Sequence, residues 1–124
     1  MKVELPYKKY IVYKEGHAFV LLVYKITNTF PTHEQYGITS QLRRAAISIT
    51  ANIVEGSGKE SDKDFYRYLT IAKGSLVECS YHLELSRDLR YLTQEEYLRL
   101  ETQRAKVGFL LHKFMLAIKK CFKS

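Results

Sequence analysis

The chain has 124 residues, a formal net charge of +7, two prolines and two cysteines, a length that sustains one hydrophobic core without disulfides or a metal. Cys79 and Cys121 have no CxxC partner, which excludes a disulfide framework or a zinc ligand set and leaves two reduced core thiols. The opening MKVELPYKKY has neither an apolar core nor a small-residue cleavage site, and no stretch of about eighteen apolar residues occurs, so a soluble, cytoplasmic chain with no membrane segment is expected.

A single domain over residues 1–124 is expected, with a short N-terminal arm over about residues 1–12. Helix one should start between Val12 and His17 and run to about Thr29, because Pro31 disfavours helical geometry at Phe30. Pro31 to Tyr36 reads as one irregular turn. Gly37 permits a reorientation, and Thr39 or Ser40 can cap a second helix that runs to about Glu55. Ser61 and Asp64 resemble a capping box, with aspartate replacing the usual Glu or Gln, and open a third helix extending to about Arg90. Thr93 and Glu96 fit the pattern better, and a fourth helix runs from there to about Phe122. Long helices joined by short connections become antiparallel neighbours, so the fold class is all-α, an antiparallel up-down four-helix bundle.

Periodicity assigns the faces. On helix two, Ile38, Leu42, Ala45, Ala46, Ile49 and Ile53 form the core seam, while Ile47, Ala51 and Val54 define a second stripe. Helix three repeats the doubling, with Phe65, Leu69, Ala72, Leu76, Cys79 and Leu83 on one face and Ile71, Tyr81 and Leu85 on another. Helix four turns Leu100, Val107, Leu111, Phe114 and Ile118 inward and leaves Leu98, Phe109 and Leu116 elsewhere. Large second apolar faces mark protein contacts, and identical chains meet them by closed symmetry. The expected self-association surface is therefore Arg43, Arg44, Ile47, Ala51, Val54, Ile71, Tyr81 and Leu85. Arg43 and Arg44 point about 100° apart on a helix of 3.6 residues per turn, which suits one to a subunit contact with an acid and the other to solvent or phosphate.

The charge excess is confined to the two ends of the sequence. Residues 1–31 carry five Lys/Arg against two acids and residues 91–124 seven against three, whereas the two middle segments balance. First and last helices of an up-down bundle are neighbours, so Lys8, Lys9, Lys14 and Lys25 can join Lys113, Lys119, Lys120 and Lys123 in one field that attracts phosphate backbones. The competing reading is that these lysines complement a helix dipole and keep the protein soluble. Tyr7, Tyr10 and Tyr13 interleave with lysines, a mixture that suits base stacking or packing against a neighbour. Asn52 and Glu55 read as a polar network fixing the next turn rather than acid–base machinery. The four histidines lack HxxxH or HExxH spacing, so no metal, cofactor or catalytic group is expected.

The stretch AFVLLVYKITNTFPTHEQYGITSQLRRAAISITANIVEGSGKESDKDFYRYLTIAKGSLVE, from Ala18 to Glu78, resembles the 23S rRNA intervening sequence proteins. The FPTHEQYG turn, QLRRAA, NIVEG, KESDKDFYRYL and IAKGSLVE carry the resemblance in the right order. Tyr13 stands where that family commonly has tryptophan, Lys59 where arginine is usual and Asp64 where glutamate is usual, which bears only on contacts needing an indole or a bidentate guanidinium. The resemblance implies a homopentamer of four-helix protomers with no established catalytic activity, from a bacterial family encoded within intervening sequences of 23S rRNA genes and elsewhere. The family is similar to accessory proteins of diversity-generating retroelements, which are basic barrels that bind nucleic acid and a reverse transcriptase. The expected function is a non-enzymatic, self-assembling accessory protein that binds RNA or DNA backbone. The alternative is a protein-interaction scaffold with no direct nucleic-acid role.

Overall fold

A computed structural model describes residues 5–122, in the order 3-10 turn Pro6–Lys9, α1 Ile11–Thr27, 3-10 turn Thr32–Glu34, α2 Ile38–Ser57, α3 Asp62–Asp88 and α4 Gln94–Lys120. Each boundary has a local cause. α1 starts one residue ahead of the expected window because the Tyr10 ring is packed 4.7 Å from Phe114 and 6.2 Å from Phe65, which fixes the chain just before the first turn. It ends at Thr27, where the hydroxyl donates to the Val23 carbonyl at 2.7 Å. The following amides tighten to three-residue bonds, Thr29 N–H to Ile26 and Phe30 N–H to Thr27.

The start of α2 corrects the expected caps. Gly37 is the capping residue and supplies no side-chain bond, while Thr39 and Ser40 lie inside the first turn and Thr39 is buried. The Glu34 carboxylate reaches forward instead and accepts from the Ile38 N–H at 3.4 Å. At α3 the Ser61 hydroxyl accepts from the Asp64 N–H at 3.1 Å. At α4 the box is complete: the Thr93 hydroxyl accepts from the Glu96 N–H and the Glu96 carboxylate accepts from the Thr93 N–H at 2.9 Å.

Side-chain contacts give the topology. Gly16 meets Thr50 and Thr27 meets Arg43, Ser48 meets Ser75, Leu76 meets Gly108 and Arg87 meets Tyr97, and Glu15 meets Gln103 and Lys106. Gly56 also meets Phe65, and Tyr10, just before α1, meets Phe114; in every pair one residue number rises as the other falls, so α1–α2, α2–α3, α3–α4 and α4–α1 are antiparallel neighbours around a square. Close approach between them needs small side chains. A Cβ on Gly16 would stand 2.9 Å from the Thr50 methyl, and one on Gly56 would stand 2.8 Å from both Phe65 and Tyr68.

All six expected core residues of α2 and all six of α3 are buried. In α4, Leu100, Val107 and Leu111 are buried as expected, but Met115 takes the next seam position. Phe114 and Ile118 are only half-buried at its flanks. The rotation of one residue follows from Phe114 turning sideways against Tyr10 and Phe65. A second correction concerns the thiols. Cys79 is a core residue, whereas Cys121 lies past the last turn of α4 and is exposed. Among the described residues no helix is long and apolar enough to cross a membrane.

Candidate nucleic-acid interface

The up-down order brings the start of α1, the end of α2, the start of α3 and the end of α4 to one end of the bundle. There the two basic segments meet. Lys9, Tyr10, Ile11 and Val12 face Leu110, Lys113 and Phe114 across a groove of about 460 Å³. The Tyr10–Phe114 contact that anchors the N-terminal turn therefore also sets Lys9 opposite Lys113. Lys8 and Lys14 are exposed at the same end, as are Lys119 and Lys120 in the last turn of α4. None of these six has a carboxylate within 4.0 Å among the described residues. Lys113 leans over the Phe109 ring at 5.4 Å.

One expected member of the field stands apart. Lys25 sits in the last turn of α1, roughly 16 Å along the helix from Lys14 at ~1.5 Å per residue. That exceeds the ~10 Å screening length of 0.1 M salt, so Lys25 does not reinforce the groove. Lys123 lies outside the described residues. Sequence reasoning also missed Lys106, whose ammonium is 3.2 Å from Glu15. Gln103 donates to the same carboxylate at 2.9 Å. These two contacts hold the Glu15 carboxyl below its ordinary range, Gln103 contributing most. They tie α1 to α4 just beneath the groove, and no local signal announces them because Glu15 and Gln103 are 88 residues apart.

The tyrosines of the basic segment pack. Tyr7 meets Tyr13 edge-on at 4.8 Å, and Tyr13 stacks on His17 at 6.0 Å. On α3, Tyr66 meets Phe122 at 5.5 Å, and Tyr68 lies beneath both Lys59 and Arg67. Asn52 donates to the Ser48 carbonyl at 2.7 Å and to its hydroxyl at 3.0 Å, and the Ser75 hydroxyl donates to Ser48 at 2.8 Å. The polar network thus belongs to the α2–α3 seam rather than the turn, and Glu55 is exposed outside it.

The expected self-association residues fall on the outer sides of α2 and α3. Arg44, Ile47 and Ala51 are exposed with Val54 half-buried below them, and Ile71 and Tyr81 are exposed with Leu85 half-buried. Arg43 turns toward α1. Its Nε donates to the Thr27 hydroxyl at 2.9 Å, its Nη2 to the Asn28 Oδ1 at 3.2 Å, and its guanidinium lies 4.5 Å from the Tyr24 ring centre. Within the protomer its described partners are neutral.

Residues 8–113 match the family model of the 23S rRNA-intervening sequence protein. A solved structure described as a protein with unknown function from the S23 ribosomal protein family of Bacteroides thetaiotaomicron is similar in fold. It is 26% identical, the match covers 85% of this chain and 95% of that chain, and the TM-score is 0.77. No curated protein matches the sequence. A family match that takes in α1 to α3 whole and α4 as far as Lys113, on a bundle whose relative is drawn from the S23 family, shows that this chain belongs to the 23S rRNA-intervening sequence proteins.

Proposed function

We propose that the chain is a non-enzymatic, self-assembling basic bundle that binds the phosphate backbone of RNA or DNA as an accessory factor. The observation that carries this reading is the shared groove of Lys9 and Lys113, with Lys8, Lys14, Lys119 and Lys120 exposed at the same end and without described carboxylate partners. Unpaired cations on one surface release condensed counterions when they meet phosphate, and the gain is independent of base identity. Each protomer offers only a handful, so linked copies on one strand raise the effective concentration. Membership in a family named for rRNA insertions is consistent with such a partner.

A protein-interaction scaffold is the second reading, favoured by the exposed Ile71, Val77 and Tyr81 along α3. Salt separates the two. Filter-binding titrations of a structured RNA and a duplex DNA should show little sequence preference and a steep loss of affinity from low to moderate salt. Changing Lys113, Lys119, Lys120 and Lys123 together to glutamine should weaken binding to all sequences and flatten the salt slope. Wild-type protein that retains no nucleic acid even at low salt would give the case to the scaffold.

A further inference from the structure

At the other end of the bundle, the corner between α1 and α2 holds a polar cleft that backbone binding at the lysine groove does not use. Its volume is about 180 Å³, several times the ~30 Å³ share of one water. Thr27, Asn28, Thr32, Gln35, Thr39 and Arg43 supply its polar wall.

Three independent features of that wall call for an anion. The first is the start of α2, where the Glu34 carboxylate meets the Ile38 amide alone. Gly37 brings no capping side chain, and the Thr39 and Ser40 amides find no acceptor among the described residues. A helix N-terminus with free amides favours negative charge. The second is Arg43, one turn further along the same helix. Thr27, Asn28 and Tyr24 fix its guanidinium without neutralising it, and no described carboxylate lies within 4.0 Å. Its Nη1 amino group keeps both hydrogens free of those contacts. The third is Thr39 itself. The residue is only 6% exposed, and its hydroxyl has no hydrogen-bond partner among the described residues. Buried hydroxyls are ordinarily satisfied, as Thr27 is on the Val23 carbonyl. The nearby acid is already engaged, since Glu34 accepts from the Tyr91 hydroxyl at 2.8 Å and from the Ile38 N–H, and it does not line the cleft.

We propose that this cleft binds a phosphate-class oxyanion. Arg43 supplies the charged donor, the Thr39 hydroxyl the buried one, and the Thr39 amide, in the first turn of α2, the positive end of the helix dipole. Free phosphate and a phosphate of a nucleic-acid backbone present the same oxygens. Free phosphate is independent of the nucleic-acid reading, and a backbone phosphate rests on it.

The test is calorimetric titration of inorganic phosphate into the intact protein at constant ionic strength, with helicity followed by circular dichroism. The expected result is saturable binding of one phosphate per protomer. Thr39→Val should weaken it roughly tenfold or more, Thr39→Ser should restore it, and Arg43→Gln should abolish it. Lys9→Gln with Lys113→Gln should leave it unchanged. If Arg43→Gln fails to fold, the Thr39 pair decides alone. A structured RNA titrated with and without phosphate then identifies the source. Competition, together with weaker RNA binding by Thr39→Val, assigns the site to backbone phosphate. Unaltered RNA binding, or none in the wild type, assigns it to free phosphate. Absence of saturable phosphate binding, or equal binding by Thr39→Val, overturns the proposal. Loss of oligomer mass in Arg43→Gln, without any phosphate response in the wild type, overturns it as well and gives the guanidinium to a subunit contact.

Discussion

Arg90 is the described non-glycine residue with a positive φ, 64°. It occupies the left-handed position after α3, where the Tyr91 N–H donates to the Ser86 carbonyl and the Arg90 N–H to that of Arg87, both at 2.9 Å. An L side chain there costs about 1 kcal/mol, and glycine does not. Arg90→Gly is expected to raise unfolding stability by no more than about 0.5 kcal/mol in urea titrations once glycine's extra unfolded-state freedom is deducted. The next residue ties two turns together. The Tyr91 hydroxyl donates to Glu34 at 2.8 Å, holding the Glu34 carboxyl below its ordinary range and the Tyr91 phenol above its own. A lowered carboxyl stabilises the fold above its unfolded range and loses that contribution as pH falls through the folded value. A raised phenol keeps its contribution until pH climbs past the tyrosine range. The stability difference between wild type and Tyr91→Phe should therefore be largest at neutral pH and shrink toward acid, and a difference constant from neutral to acid pH would refute the bond. Cysteine chemistry divides equally sharply. Burial pushes the Cys79 thiol up to about 12, with the Glu78 charge adding to it, while Cys121 is exposed. A thiol reagent at neutral pH should modify Cys121 in the folded protein and reach Cys79 only after denaturant is added.

The helix ends and faces show which parts of the fold sequence carries by itself. Thr93 and Glu96 satisfy each other within one turn, so both the start of α4 and its full capping box are legible locally. Thr93→Ala should cost about 1 kcal/mol, measured by thermal unfolding, because a free amide is left at the helix start. The apolar face of α3 is legible for a related reason, since one unbroken period of 3.6 fixes six buried residues at once. The start of α2 is different. Thr39 and Ser40 have the chemistry of caps, but the chain enters the helix at Gly37, and the Glu34 carboxylate that meets the Ile38 amide is bound to Tyr91, 57 residues away. Tertiary contact overrides local preference there. The same limit governs the candidate site. Each lysine is visible in the sequence, and the separation of Lys25 follows from the rise along α1 alone, but the pairing of Lys9 with Lys113 depends on the antiparallel register of α1 and α4. The Thr39 cleft is invisible in sequence, because an unpartnered hydroxyl is a property of its neighbours.

At the scale of the molecule, the outer sides of α2 and α3 remain to be accounted for. Arg44, Ile47, Ala51 and Val54 follow one another at helical spacing, and Ile71, Tyr81 and Leu85 do the same on the adjoining helix. Ile47 is 40% exposed, Ile71 45% and Tyr81 58%, while the seam between the helices is pinned by the Ser75–Ser48 hydrogen bond. Two helices that already bury a complete core stripe have no further intramolecular use for such side chains, and covering them against water stabilises at about 25 cal/mol per Å². A neighbouring copy of the chain can cover this surface with a different face of its own, and closed cyclic symmetry repeats that contact until every copy is covered. We propose that the protein assembles through this surface, as the pentamer implied by family resemblance, and that assembly multiplies the lysine groove along one strand. Light scattering should then give a mass several times 14.5 kDa. Replacing Ile47 and Val54 by glutamate sets charges into the contact without entering the intrachain seam, so the mass should fall to that of one chain while far-ultraviolet circular dichroism stays helical. Nucleic-acid affinity should drop with it, because single protomers lose the gain from linkage even though every lysine is retained. An oligomer that survives both glutamates would move the contact to another face, such as the one carrying Leu98, Phe109 and Leu116, which are also exposed.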